Sequence, residues 1–167
     1  MKTKQLAIDA VLAAMCAVLG YISIDLATLK FTFESFPIIL ASFLFGPIHG
    51  MLVAFVGIFI SQMTKYGLEA STILWIIPYV VFALYMGLLY KEGMSKKVFI
   101  LFMISGGLLL TLINTGSLCI YYRMLLEKPL GAVLVSVPTR LITNIIKFFV
   151  FALIVPGIIK AVKPYAA

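Results

Sequence analysis

In a chain of 167 residues, 63% are hydrophobic and 11% are charged, whereas a soluble domain carries roughly 25% charged residues. A water-soluble fold of this length buries only part of the surface its chain exposes, too little to hide so much apolar side chain, so the solvent is lipid. The net charge of +7 does not point to nucleic acid, because the basic residues lie between apolar segments instead of gathering into a stripe interleaved with aromatics.

Each helical crossing takes about 20 apolar residues, which leaves room for six crossings in one domain spanning residues 1–167 and predicts an all-α integral membrane protein, a six-transmembrane-helix bundle. The first helix is expected over residues 5–23. The lysines ahead of it resemble a secretory leader, but no small-residue cleavage site follows, and the segment is read as a retained helix. From Ile24 to Phe36, with Asp25, Lys30 and Glu34, a long loop is expected despite the alternation Phe31-Thr32-Phe33. Ser35 and Pro37 suit a helix start, and a short second helix over 36–46 ends at Gly46-Pro47. The third and fourth helices are expected over 48–64 and 72–90, joined by Lys65-Tyr66-Gly67-Leu68-Glu69. After the aqueous turn Lys91 to Lys97 come a fifth helix over 98–122, a loop with Arg123, Glu127, Lys128 and Pro129, and a sixth helix over 132–160.

Six crossings put both termini on one side. The loops and ends on that side hold seven basic residues, Lys2, Lys4, Lys91, Lys96, Lys97, Lys160 and Lys163; the opposite side holds four, Lys30, Lys65, Arg123 and Lys128. The positive-inside rule therefore predicts cytoplasmic termini. Cys16 and Cys119 have no His or Cys at metal-ligand spacing and read as small buried hydrophobes. His49 reads as a solvated turn residue, and no metal site is expected.

Arg140 and Lys147 fall inside the sixth helix, where a charge costs at least about 2.5 kcal/mol unless it faces the bundle interior or a wet cavity. Ser136, Arg140, Asn144 and Lys147 share one helical stripe, with Thr139 and Thr143 beside it. The fourth helix enters from the same side with Trp75 and Tyr79, and the fifth returns there with Asn114, Ser117 and Tyr121. Three helices thus place polar or aromatic groups at one depth, with Arg140 roughly 12 Å below the outer end at ~1.5 Å per residue. The expected substrate-binding set is Trp75, Tyr79, Asn114, Ser117, Tyr121, Arg140, Asn144 and Lys147. Aromatic faces stack on a flat ring, amides bond its edge and a cation holds a hydroxyl, carboxylate or phosphate. The loops at 24–36, 65–71 and 123–131 are expected above this cavity as lids. Against this stand plainer readings: interface-belt roles for Trp75, Tyr66 and Tyr121, a snorkelling Lys147, an Asn114 that joins helices, and an Arg140 paired with Glu34, Glu69 or Glu127. On the first helix, Ala10, Ala13, Ala14 and Ala17 form a small-residue face of the kind that permits close helix approach in membranes.

The whole chain resembles the substrate-binding S components of energy-coupling factor (ECF) vitamin transporters. The resemblance rests on the Ala-x-x-x-Ala first helix, the long first loop, and Phe36-Pro37-Ile38-Ile39-Leu40-Ala41 leading to Leu44-Phe45-Gly46-Pro47-Ile48-His49-Gly50. It implies a subunit of a bacterial cell membrane that takes a vitamin from outside and docks through its first-helix alanines on a transmembrane, EcfT-like coupling subunit. Two ATPase subunits would power the complex, which would topple the loaded subunit in the membrane. In agreement, the chain has no Gly-rich phosphate loop, and no cofactor is expected in it. Tyr66-Gly67-Leu68 and Leu74-Trp75-Ile76-Ile77-Pro78 look more like members for hydroxymethylpyrimidine or pyridoxine than members for folate, the alternative. Two other classes compete. An intramembrane enzyme using Arg140 and Lys147 lacks an evident acid or nucleophile, and a freestanding secondary transporter should show an internal repeat or broken paired helices.

Overall fold

In lipid a segment must satisfy its own backbone hydrogen bonds, and an apolar helix does so. The computed structural model describes residues 3–26, 29–69, 71–125 and 131–166. Among these the chain folds into α1 (Thr3–Tyr21), a hairpin of β1 (Ser23–Leu26) and β2 (Leu29–Thr32), α2 (Ser35–Phe45), α3 (Pro47–Tyr66), α4 (Thr72–Leu89), α5 (Lys96–Ile120) and α6 (Gly131–Ala166). A π-helical turn, Tyr121–Leu125, ends α5. Five of the six helices are long and apolar enough to cross a membrane, and α2 is shorter. The chain is a multi-pass membrane protein. Its large exposed side chains are those lipid solvates, such as Leu101, Leu112 and Leu153, each more than 60% exposed.

The expected loop at 24–36 is in fact mostly a hairpin, with Ser23 opposite Thr32 and Leu26 opposite Leu29. The period-two alternation before Glu34 is a strand signal, and the charges nearby masked it. Phe33 and Phe36 then pack on Phe151 of α6, with ring centroids 6.3 and 5.4 Å away.

Two contacts set the direction of α2. Asp9 bonds His49 at 2.5 Å near the starts of α1 and α3, and Lys65 donates to the Gly20 carbonyl at 2.6 Å where both helices finish. These helices therefore run parallel, and α2 must bring the chain back between them. At 11 residues α2 is ~16 Å long, too short to face lipid across the whole bilayer, but nearly all of it is buried in the bundle. His49 is thus not a solvated turn residue. Its ring is buried, because the parallel helices bring the Asp9 carboxylate against it.

Close approaches fix the remaining neighbours. Gly46 adopts φ of +96°, a conformation that favours glycine, and Pro47 opens α3 at the first-turn position that tolerates it. A Cβ on Gly50 would lie 2.0 Å from the Ser42 hydroxyl, and one on Gly87 would lie 2.5 Å from the Pro47 Cα. The Phe-Gly-Pro-x-x-Gly segment is therefore a three-way junction of α2, α3 and the end of α4. Changing Gly87 to leucine should destabilise the protein by about 1–3 kcal/mol, because the obstruction is backbone and cannot swing aside. Thermal unfolding in detergent measures this, and an unchanged midpoint would refute the junction. Gly107 makes room for the Phe148 side-chain ring, setting α5 against α6.

Candidate functional site

At the end of the bundle where α1, α3 and α5 finish and α4 and α6 begin lies an open cavity of about 510 Å3. Its α6 wall is the polar stripe of the sequence: Ser136, Thr139, Arg140, Thr143, Asn144 and Lys147 all line it. This follows from helical periodicity, since apolar Ile142, Ile145 and Ile146 occupy the exposed outer faces. Lys147 is 6% exposed, with its ammonium 5.2 Å from the centre of the Phe148 ring. Asn144 donates to the Thr111 hydroxyl at 2.7 Å, which ties α6 to α5 at the cavity wall.

From α4 come Thr72, Trp75 and Tyr79; from α5 come Leu110, Thr111, Asn114 and Leu118, followed by Tyr121 and Tyr122 of the π-turn. Trp75 and Tyr121 meet at 5.8 Å between ring centroids, tilted by 57°. They face the cavity rather than only the membrane interface. The carbonyl oxygen of the Asn114 side chain is buried with no protein partner among the described residues, so its acceptor capacity is open.

Seven of the eight residues expected here line the cavity, the exception being Ser117. Ser117 is buried and sits about 60° around α5 from Asn114, just off the stripe that holds Leu110, Leu118 and Tyr121.

On the opposite wall, Gly20 of α1 and Ser61 and Gln62 of α3 were not expected from the sequence, whereas Lys65 and Tyr66 of α3 and Glu69 and Ser71 of the following connection belong to the segment expected above the cavity as a lid. The signal was present, since Ser61, Gln62 and Lys65 make a polar patch at spacings of one and three in an otherwise apolar helix. Glu34, expected in a lid loop, is instead buried at the cavity wall. It accepts hydrogen bonds from the Tyr79 hydroxyl and, at 3.0 Å, from Thr32. Glu69 accepts from Ser71 at 3.1 Å. Neither acid forms an ion pair with Arg140, while Glu127 and most of the expected lid at 123–131 lie outside the described residues. Arg140 is half-buried beside Tyr79 and Tyr122.

Chemically, the cavity offers indole and phenol faces, amide and hydroxyl groups, the carboxylates of Glu34 and Glu69, and the cations Lys65, Arg140 and Lys147. Such a set grips a flat polar ring by its faces and edge and neutralises an anionic substituent.

Of the first-helix alanines, Ala10 and Ala14 are exposed and Ala17 is half-buried. Ala13 is not available to a partner. With Asp9, Cys16 and Gly20 it is buried in the seam against α3, where a Cβ on Gly57 would lie 3.0 Å from the Ala13 carbonyl oxygen. The outward face is one residue, about 100°, around the helix from that seam.

No curated protein sequence matches this chain. Among solved structures, a crystal structure of FolT bound with folic acid is similar in fold, with a TM-score of 0.63, 18% sequence identity, and coverage of 89% of this chain and 91% of that one. The family model described as ECF transporter, substrate-specific component, matches residues 4–162. This chain, with its bundle of apolar helices around a polar cavity, belongs to that family of transport proteins.

Proposed function

We propose that the protein captures a small heteroaromatic vitamin, of the hydroxymethylpyrimidine or pyridoxine kind, in the cavity between α4, α5 and α6, and delivers it to an ATP-driven partner. One observation carries this reading: Arg140 and Lys147 project from a membrane-spanning helix into the cavity that also holds Trp75, Tyr79 and Tyr121. Cations are retained at such depth where they serve a polar cargo or pathway. The ring stacks on the aromatic residues, Asn114 and Asn144 meet its edge, and Arg140 takes the hydroxyl or anionic substituent. The termini lie in the cytoplasm, so the cavity opens outward. The exposed face of Ala10 and Ala14, extended by Ala17, docks on a transmembrane coupling subunit served by two ATPases.

A second reading, folate, is favoured by size. The cavity volume of about 510 Å3 equals that of some 17 waters at ~30 Å3 each, more than one substituted ring fills, and the cations would suit a carboxylate-bearing tail. Native mass spectrometry of gently purified protein, followed by competition with hydroxymethylpyrimidine, pyridoxine and folate, separates the readings. A retained heteroaromatic displaced by one of the three identifies the cargo. Saturable binding of none of them would sink both.

A further inference from the structure

A second recess, of about 600 Å3, lies at the opposite end of the bundle from the vitamin cavity, between the α4–α5 turn, the start of α5 and the final turns of α6. Its chemistry is divided in two. Inside, Phe99, Ile100, Ala152 and Ile159 give an apolar wall, with Phe99 and Ile159 buried. Leu153, 62% exposed, and Pro156 leave the groove open toward the side where acyl chains lie. At the rim stand four lysines, Lys91, Lys96, Lys160 and Lys163, all exposed. Among the described residues Glu92 is the one acid lining the recess, and it is engaged by Lys163. The charge of Lys91, Lys96 and Lys160 is therefore not offset within the rim.

The spacing suits an amphiphile. From Leu153 to Lys160 is ~10 Å along α6, so an apolar chain lying on the wall would present its head to the lysines. The helices end here and the hydrophilic turn Lys91 to Ser95 begins, which sets the lysine rim at the level of lipid headgroups and the wall within the hydrocarbon. We propose that this recess binds one anionic phospholipid, its phosphate among Lys91, Lys96 and Lys160 and one acyl chain along the groove between α5 and α6. A zwitterionic lipid has the same chains but carries its own cation to the rim, where the lysines repel it. A free phosphate matches the rim but leaves the apolar wall uncovered. Basic recesses between membrane helices take anionic headgroups by this combination of charge and buried chain.

The test uses delipidated full-length protein in detergent, titrated in native mass spectrometry with dioleoylphosphatidylglycerol, with dioleoylphosphatidylcholine or with inorganic phosphate alone. One phosphatidylglycerol should remain bound under collision conditions that strip phosphatidylcholine, and phosphate should neither bind nor compete. The double substitution Lys96→Gln, Lys160→Gln should weaken phosphatidylglycerol roughly 25-fold, about fivefold per lysine, with an unchanged unfolding temperature because both side chains are exposed. Leu153→Trp, filling the groove, should weaken the same lipid while all four lysines remain. Equal retention of the two lipids, or indifference to the lysine substitutions, would overturn the proposal. Displacement of phosphatidylglycerol by phosphate would reassign the recess to a free anion. Loss of the lipid when the coupling subunit binds, with the recess protected instead by protein, would reassign it to a subunit contact.

Discussion

Replacing Arg140 with alanine should weaken vitamin binding by roughly 30- to 5,000-fold, the range for removing a partly desolvated charge-assisted contact worth about 2–5 kcal/mol. Arg140 is half-buried in the cavity wall and has no ion pair with Glu34 or Glu69, so its truncation should leave the bundle intact. Arg140→Lys keeps the charge but loses the planar pair of donors, and its affinity should fall between the two. Isothermal titration with the cargo identified by mass spectrometry, beside thermal unfolding of each variant, measures both quantities. Wild-type affinity in the alanine variant would remove Arg140 from the site.

Uptake should fail when Ala14 is replaced by tryptophan, while binding to the isolated subunit changes less than about twofold. Helices approach closely in a membrane only where side chains are small, because lipid solvates a bulky apolar group as well as a partner helix does. Ala14 is exposed on the side of α1 turned away from α3, so an indole there has room within the subunit but not beneath a docked partner. The comparison variant is Ala13→Trp, which should unfold the subunit because Ala13 is buried in the α1–α3 seam. Transport assays in vesicles containing the coupling subunit and ATPases, paired with ligand binding by the purified variants, separate the two outcomes. Undiminished uptake with tryptophan at position 14 would place docking on another face.

The two predictions depend on different kinds of information. Arg140 and its stripe were legible from spacing alone, since charges and amides every three or four residues on an apolar helix are too costly to face acyl chains. Ala13 and Ala14 look alike in the sequence, and only the packed bundle separates them. The same limit explains Ser117, which shares the spacing of its neighbours but misses the cavity by part of a turn.

The lipid solvent, the helical build and the polar faces of α4, α5 and α6 were readable before any packing was known. These follow from composition and from the 3.6-residue period, which are properties of each segment alone. How those segments meet is fixed only when they pack. Where nearly every helix face is apolar, hydrophobic pattern does not say which face turns inward. Orientation is set by close approaches at Gly57, Gly87 and Gly107 and by polar ties such as Asp9 to His49 and Lys65 to Gly20. Those contacts link residues distant in sequence. They brought α3 and Glu34 to the cavity and buried His49.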